Sequence, residues 1–115
     1  MNTIIQNLEK LLESQGESVL LRFSLGNAWL ANDPTTAASH FERAVVLDPE
    51  YSAAWKLLGR AWNEAGNSKK ARDAFAKGIA AASARGDVQA RKEMEVFLRR
   101  AEKQLNGVST GTTQP

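Results

Sequence analysis

Apolar side chains recur at intervals of three and four residues along most of the chain, which is the spacing of one face of an α-helix. Turn residues separate these stripes. Asp33-Pro34 and Asp48-Pro49 each place a capping carboxylate before a proline in the first turn, and Ser68 is placed to cap a later helix. The pattern predicts six helices, at residues 2–14, 19–31, 34–47, 50–65, 68–84 and 87–105. We therefore expect an all-α protein.

The chain also contains an internal repeat. The segment Leu25-Gly-Asn-Ala-Trp29 superposes on Leu58-Gly-Arg-Ala-Trp62 at an offset of 33 residues. A later set of small and aromatic residues superposes at an offset of 34, with Ala37, Phe41 and Ala44 on Ala71, Phe75 and Gly78. The slip of one residue falls between the two helices of the unit, where a turn belongs.

These residues resemble the tetratricopeptide repeat (TPR), a helix-turn-helix unit of about 34 residues with the pattern Trp-x2-Leu-Gly-x2-Tyr, then Ala-x3-Phe, then Pro. The second copy, residues 52–85, is nearly complete, although Trp62 replaces the usual Tyr. The first copy, residues 19–51, is degenerate, since Arg22 replaces the opening Trp. The resemblance implies a TPR-like α-solenoid of about six helices in antiparallel hairpins that form a right-handed superhelix.

Both ends of the chain also fit the repeat pattern. The helix at 2–14 corresponds to the second half of a truncated preceding repeat, and residues 87–105 form the polar-backed capping helix that a solenoid needs. Residues 106–115 are rich in Gly and Thr without periodicity, which predicts a disordered tail. We expect residues 1–105 to form a single domain.

Two glycines and three tryptophans have predicted packing roles. Gly26 and Gly59 occupy equivalent mid-helix positions, where a glycine costs roughly 0.5–1 kcal/mol relative to alanine, so we expect each to allow a close helix contact. Trp29, Trp55 and Trp62 coincide with motif positions that fill the repeat core. This interpretation is favoured over an aromatic ligand box or a base-stacking platform.

The composition gives little support to catalysis. The chain has no cysteine, so disulfides, thiolate nucleophiles and zinc–thiolate sites are excluded. Its single histidine, His40, lies mid-helix and is expected at the surface. The carboxylates belong to mixed-charge helix faces, and the glycines lack the spacing of a phosphate-binding loop. We expect no enzyme, no cofactor and no metal.

The hydropathy pattern also bears on location. No segment approaches the roughly 20 apolar residues that a membrane span needs. The amino-terminal residues have no basic start and their apolar side chains are interrupted by polar ones, unlike a secretory signal. We expect a soluble, cytoplasmic protein.

Charge is distributed unevenly. Residues 1–55 contain three Lys and Arg against seven Asp and Glu, a net charge of −4, whereas residues 56–115 contain twelve against six, a net charge of +6. The basic half could suggest nucleic acid. Nucleic-acid binding is disfavoured, because Lys69, Lys70, Arg72 and Lys77 lie on a helix that should face outward and acidic residues are interspersed.

In the proteins that this chain resembles, the first helix of each hairpin lines a concave groove that binds a peptide or a helix. Transferred to this sequence, that geometry implies a groove lined by Leu20, Phe23, Ser24, Asn27 and Leu30, by Lys56, Leu57, Arg60, Asn63 and Glu64, and by Arg91 and Lys92. Such a groove would suit a segment with hydrophobic anchors and an acidic part or a carboxyl-terminal carboxylate. A simpler alternative is that the apolar members are covered by the first helix and the basic ones are ordinary surface charges.

Chaperone-binding members of the family hold a carboxyl-terminal carboxylate with a clamp of Lys, Asn and Arg side chains. Asn27 matches one clamp position, but Phe23 and Leu57 occupy two others, and the third helix offers only Arg91 or Lys92. Co-chaperone activity is therefore not expected.

Two functional hypotheses remain. The leading one is a protein–protein interaction module, an adaptor that binds a peptide or helix of a partner in the concave groove. The alternative is a self-assembling subunit, a homodimer or larger oligomer formed through the first helix or through the oppositely charged ends.

Overall fold

The computed structural model describes residues 2–113 and the side chains of residues 2–107. Over this range the chain forms six α-helices and no strand. The helices are α1 (Thr3–Gln15), α2 (Val19–Trp29), α3 (Pro34–Leu47), α4 (Ser52–Glu64), α5 (Ser68–Arg85) and α6 (Val88–Thr113). Their number and order agree with the sequence pattern, and every boundary but the last lies within two residues of the expected one.

The carboxyl-terminal part of α6 differs from the expectation. The composition of residues 106–115 predicts a disordered tail, whereas the structure continues α6 to Thr113. A glycine in a helix costs about 1 kcal/mol, so Gly107 and Gly111 weaken the helix without ending it. No proline lies between Val88 and Thr113. Residues 114 and 115 lie outside the described part of the chain.

The helix caps confirm one prediction and correct two. Asp33 caps α3, and its carboxylate accepts a hydrogen bond from the Thr36 backbone N–H at 3.1 Å. The cap of α5 is Asn67 rather than Ser68, because the Asn67 side chain reaches the backbone N–H of Lys70. Asp48 does not cap α4 and instead ends α3. Its side chain accepts from Glu50 N–H inside the turn, and α4 begins only at Ser52.

Helix pairing produces the solenoid. Each helix packs against the next one along the chain, and α6 also contacts α4. Gly26 faces Phe41 between α2 and α3, and a Cβ atom at Gly26 would lie 2.5 Å from that ring. Gly59 faces Phe75 between α4 and α5 in the same way. The predicted packing role of both glycines is confirmed, since only hydrogen leaves room for the aromatic ring.

The three tryptophans lie at the edge of this core. All are half-buried, and Trp29, Trp55 and Trp62 pack against the cluster centred on Phe41 and Leu58. The Trp55 Nε1–H donates to the backbone carbonyl of Pro49 at 2.7 Å. They therefore serve the core, as predicted.

An ion-pair cluster connects the linker after α1 to the first hairpin. Glu17 accepts hydrogen bonds from Arg43 at 2.7 and 2.9 Å and from Arg22 at 3.0 Å. The Arg43 hydrogen bond is the main cause that lowers the pKa of Glu17 to about 2, and Arg22 lowers it further. The Glu17 carboxylate thus holds α2 and α3 together.

His40 belongs to the same cluster, which corrects the prediction of a surface residue. The side chain is half-buried, and its Nδ1 lies 3.0 Å from Nη1 of Arg22. Burial is the main cause that lowers the pKa of His40, and the nearby positive charge of Arg22 lowers it further. The sequence hides this contact because α2 and α3 meet only after the hairpin closes.

Candidate functional site

A groove of about 900 Å³ lies between α4 and α6 and reaches Phe75 of α5. Five residues of α4 line one wall, namely Lys56, Leu57, Arg60, Asn63 and Glu64. The opposite wall is formed by α6, chiefly by Glu93, Phe97, Arg100, Ala101, Lys103 and Gln104.

Helical periodicity explains both walls. The α4 wall recurs at intervals of three and four residues, while Ala54, Leu58 and Ala61 on the opposite side of that helix are buried. On α6, Met94 is buried and packs into the core cluster with Ala71, Phe75 and Ala82 of α5. Each helix therefore presents one face to the core and a neighbouring face to the groove.

The inner surface of the groove is apolar. Leu57 and Phe97 are half-buried, so part of each side chain remains accessible from the groove. The Phe97 ring lies with its centroid 5.6 Å from that of Phe75, which holds it in place. Aromatic and aliphatic side chains on a fixed backbone are the usual anchors of a protein interface.

The charges around this surface fall into two groups. In the first group, Lys56 Nζ lies 3.2 Å from Glu93 Oε1, and Arg60 Nε lies 2.8 Å from Glu64 Oε2. These α4 cations are already paired within the chain. The second group, Arg100 and Lys103, makes no ion pair among residues 2–107.

The structure brings together only part of the groove that the resemblance implies. Lys56, Arg60 and Asn63 line it together, as do their neighbours Leu57 and Glu64. Arg91 does not line it and instead pairs with Glu95 one turn later on α6, at 2.9 Å.

The residues proposed from α2 lie elsewhere. Leu30 is buried in the core, and Phe23 is half-buried between Phe41 and Tyr51, with ring centroids 5.8 and 4.9 Å away. Leu30 therefore offers no open anchor, whereas Phe23 remains partly exposed and packs against aromatic residues of its own repeat. Asn27 and Leu20 are exposed, but neither lines the groove. The alternative that α1 covers Leu20 is also wrong, since 73% of that residue is exposed.

Sequence reasoning missed Phe97, Arg100 and Lys103. Their spacing marks one face of a helix and could have been noticed. However, α6 lacks the Leu-Gly pair that fixes the register in the other two repeats, so the sequence could not show which face meets α4.

Across residues 2–113, no helix combines the length and the hydropathy that crossing a membrane requires. In the same part of the chain, no cluster of three His, Asp or Glu side chains has an arrangement that would hold a metal ion.

Comparison with known proteins identifies the family. The family model described as tetratricopeptide repeat matches residues 28–87, slightly more than half of the chain. The TPR repeat-containing protein PA0015 of Pseudomonas aeruginosa is 48% identical over 101 residues, which cover 87% of this chain and 96% of that protein. The chain belongs to the tetratricopeptide-repeat family. TPR proteins are generally non-enzymatic modules for protein–protein interaction.

A solved structure supports the same conclusion. The solution structure of protein BPP2914 from Bordetella parapertussis is 40% identical, with a TM-score of 0.76 over 90% of this TPR chain and 91% of that one. The predicted all-α, solenoid-like TPR fold is thus confirmed.

A co-chaperone provides a shorter match. The heat-shock protein cognate co-chaperone sgt12 of Aspergillus fumigatus is 37% identical over 71 residues, which are 62% of this TPR protein but only 21% of that relative. In the present structure, Phe23 packs against Phe41 and Tyr51 and Leu57 forms part of an apolar wall, so neither supplies the polar group that a carboxylate clamp needs at its position.

Proposed function

We propose that this protein is an adaptor that binds a segment of a partner protein in the groove between α4 and α6. The observation that carries the proposal is the accessible apolar surface of Leu57 and Phe97 inside a groove of about 900 Å³. Family membership supports the same class of function. No step of catalysis and no cofactor is part of the proposal.

The test is capture of partners from an extract by the wild-type protein and by two variants. Leu57→Asp places a charge in the groove, whereas Val46→Asp places the same charge on α3, where Val46 is exposed and does not line the groove. Circular dichroism verifies that both variants fold. Loss of a partner from Leu57→Asp alone supports the groove as the site, and equal retention by all three proteins contradicts it.

Self-association is a second candidate, favoured by one specific observation. Apolar side chains are exposed at the amino-terminal end, with Ile4 66% and Leu11 41% accessible. The acidic first half and the basic second half could attract each other between copies. Light scattering after size exclusion should then show a dimer or larger species that dissociates with added salt. A monomer at all salt concentrations and at high protein concentration contradicts this candidate.

A further inference from the structure

We infer that Arg100 and Lys103 form the anion-binding part of the groove, and that the partner segment carries an apolar anchor next to acidic side chains. This inference rests on the proposed function and adds the chemistry of the ligand. It places the basic site on the second half of α6, whereas the sequence suggested Lys56 and Arg60 on α4 with Arg91 and Lys92 near the start of α6.

Both cations of the α4 wall are already paired with carboxylates of the same chain. The Lys56 ammonium is neutralised by Glu93 across the groove, and the Arg60 guanidinium by Glu64 on the same helix. An incoming carboxylate would have to displace an existing carboxylate at either position and would meet its negative charge. These two pairs therefore provide little net attraction for an acidic ligand.

Arg100 and Lys103, by contrast, remain available to bind an acidic ligand. Both are exposed and line the groove, and neither has a carboxylate within ion-pair distance among residues 2–107. They are three positions apart on α6, so they lie on the same face of the helix. Two unpaired cations at one end of an otherwise neutralised groove give it a positive end.

The positive end of the groove lies beside its apolar surface. The guanidinium carbon of Arg100 lies 5.9 Å from the centroid of the Phe97 ring, and Ala101 lines the groove next to it. An apolar side chain packed on Phe97 would bring its neighbours in sequence close to Arg100. Arginine binds a carboxylate with two parallel hydrogen bonds, which suits Asp or Glu at that point.

Charge also sets the direction of the segment. The Glu93 carboxylate at the other end of the α6 wall disfavours an acidic residue there, whereas Lys103 favours one at its own end. The acidic part of the ligand is therefore expected over the second half of α6, and the apolar anchor between Leu57 and Phe97.

The experiment is selection of binders from a random 12-residue peptide display library, followed by fluorescence anisotropy on synthetic copies of the selected peptides. Wild-type protein should enrich peptides that combine Leu, Phe or Trp with Asp or Glu. The double variant Arg100→Glu, Lys103→Glu should bind them roughly tenfold more weakly or worse. The control Lys10→Glu, Lys69→Glu makes the same change in net charge at exposed positions outside the groove and should stay within about twofold of wild type.

The Leu57→Asp variant separates the two proposals. If Leu57→Asp abolishes binding but the selected peptides lack acidic residues, or the Arg100, Lys103 variant binds them normally, the inference is wrong and the proposed groove stands. If the groove variants all bind as well as wild type, or if the library yields no binder, both the inference and the proposed function are contradicted. Thermal melts of each variant verify that the fold is intact.

Discussion

The Lys56 ammonium of α4 lies 3.2 Å from the Glu93 carboxylate of α6, so this ion pair crosses the candidate groove. Both side chains are partly exposed, at 33% and 43%, which limits the contribution of the pair to stability to roughly 0.2–1 kcal/mol. Its larger effect concerns binding, because Glu93 already occupies the position that an acidic ligand would take next to Lys56.

Removal of this carboxylate charge should strengthen the binding of acidic peptides. Glu93→Gln keeps the shape of the side chain and releases Lys56, so we expect the dissociation constant of an acidic groove ligand to fall about two- to fivefold, the equivalent of one exposed ion pair. Fluorescence anisotropy measures the change. Glu102→Gln, an exposed α6 residue outside the groove, serves as the control of equal charge and should leave affinity unchanged. Equal effects of the two variants would contradict the role of Glu93.

The contact between Gly59 and Phe75 should make a methyl group costly. In Gly59→Ala the new Cβ overlaps the Phe75 ring, and overpacking of this kind destabilises by about 1–3 kcal/mol, more than the gain of up to about 1 kcal/mol in helix propensity. Urea denaturation should show a lower midpoint. Gly107→Ala adds a methyl group with no atom within 4 Å and should be neutral or slightly stabilising. A stable Gly59→Ala variant would show that the ring can move aside.

The Glu17 cluster should contribute stability that depends on pH. The pKa of the Glu17 carboxyl is lowered from 4.5 to about 2, so between these pH values the unfolded chain binds the proton more readily than the folded chain. The contribution is therefore present above about pH 4.5 and is lost as pH falls towards 2. We expect Glu17→Gln to lower the melting temperature at pH 7, with a smaller difference from wild type at low pH.

The matched control for that prediction is Glu13→Gln. Glu13 is exposed and makes no ion pair within residues 2–107. The Glu13→Gln variant should have the same melting temperature as the wild type at pH 7. If the two variants melt alike, the cluster does not stabilise the hairpin.

His40 should make the protein less stable in mild acid. Burial and the Arg22 charge lower its pKa below 6.5, so the folded protein binds the proton less tightly than the unfolded chain. Stability therefore falls as pH decreases through 6.5 towards the lower value in the folded state. NMR titration of the imidazole measures that pKa directly, and His40→Gln should remove this part of the pH dependence. A midpoint at or above 6.5 would contradict the buried arrangement.

Local sequence was sufficient for the helices and for the hairpin contacts. The three- and four-residue periodicity predicted six helices, and the equivalent positions of Gly26 and Gly59 in the two repeats predicted where neighbouring helices approach closely. Both features depend on residues near one another in the repeat, whose motif carries the geometry. The family followed from the same residues.

The candidate site depended on more distant relationships. Lys56, Arg60 and Asn63 lie on a common wall of the groove, a relationship that helical spacing alone determines. The sequence could not show that Leu30 turns into the core or that Phe23 packs against Phe41 and Tyr51, because both depend on how α2 rotates against α3 and on the position of Tyr51.

The division between the two levels has a physical cause. Helix periodicity and the repeat motif are properties of the local sequence, which by itself determined them. Of the predicted caps, only Asp33 was correct. Phe97 and Arg100 lie across the groove from Leu57, and Glu93 pairs with Lys56. Both relationships join residues about 40 positions apart in the sequence. Only the packing of α6 onto α4 and α5 decided them, because α6 lacks the motif residues that would set its rotation.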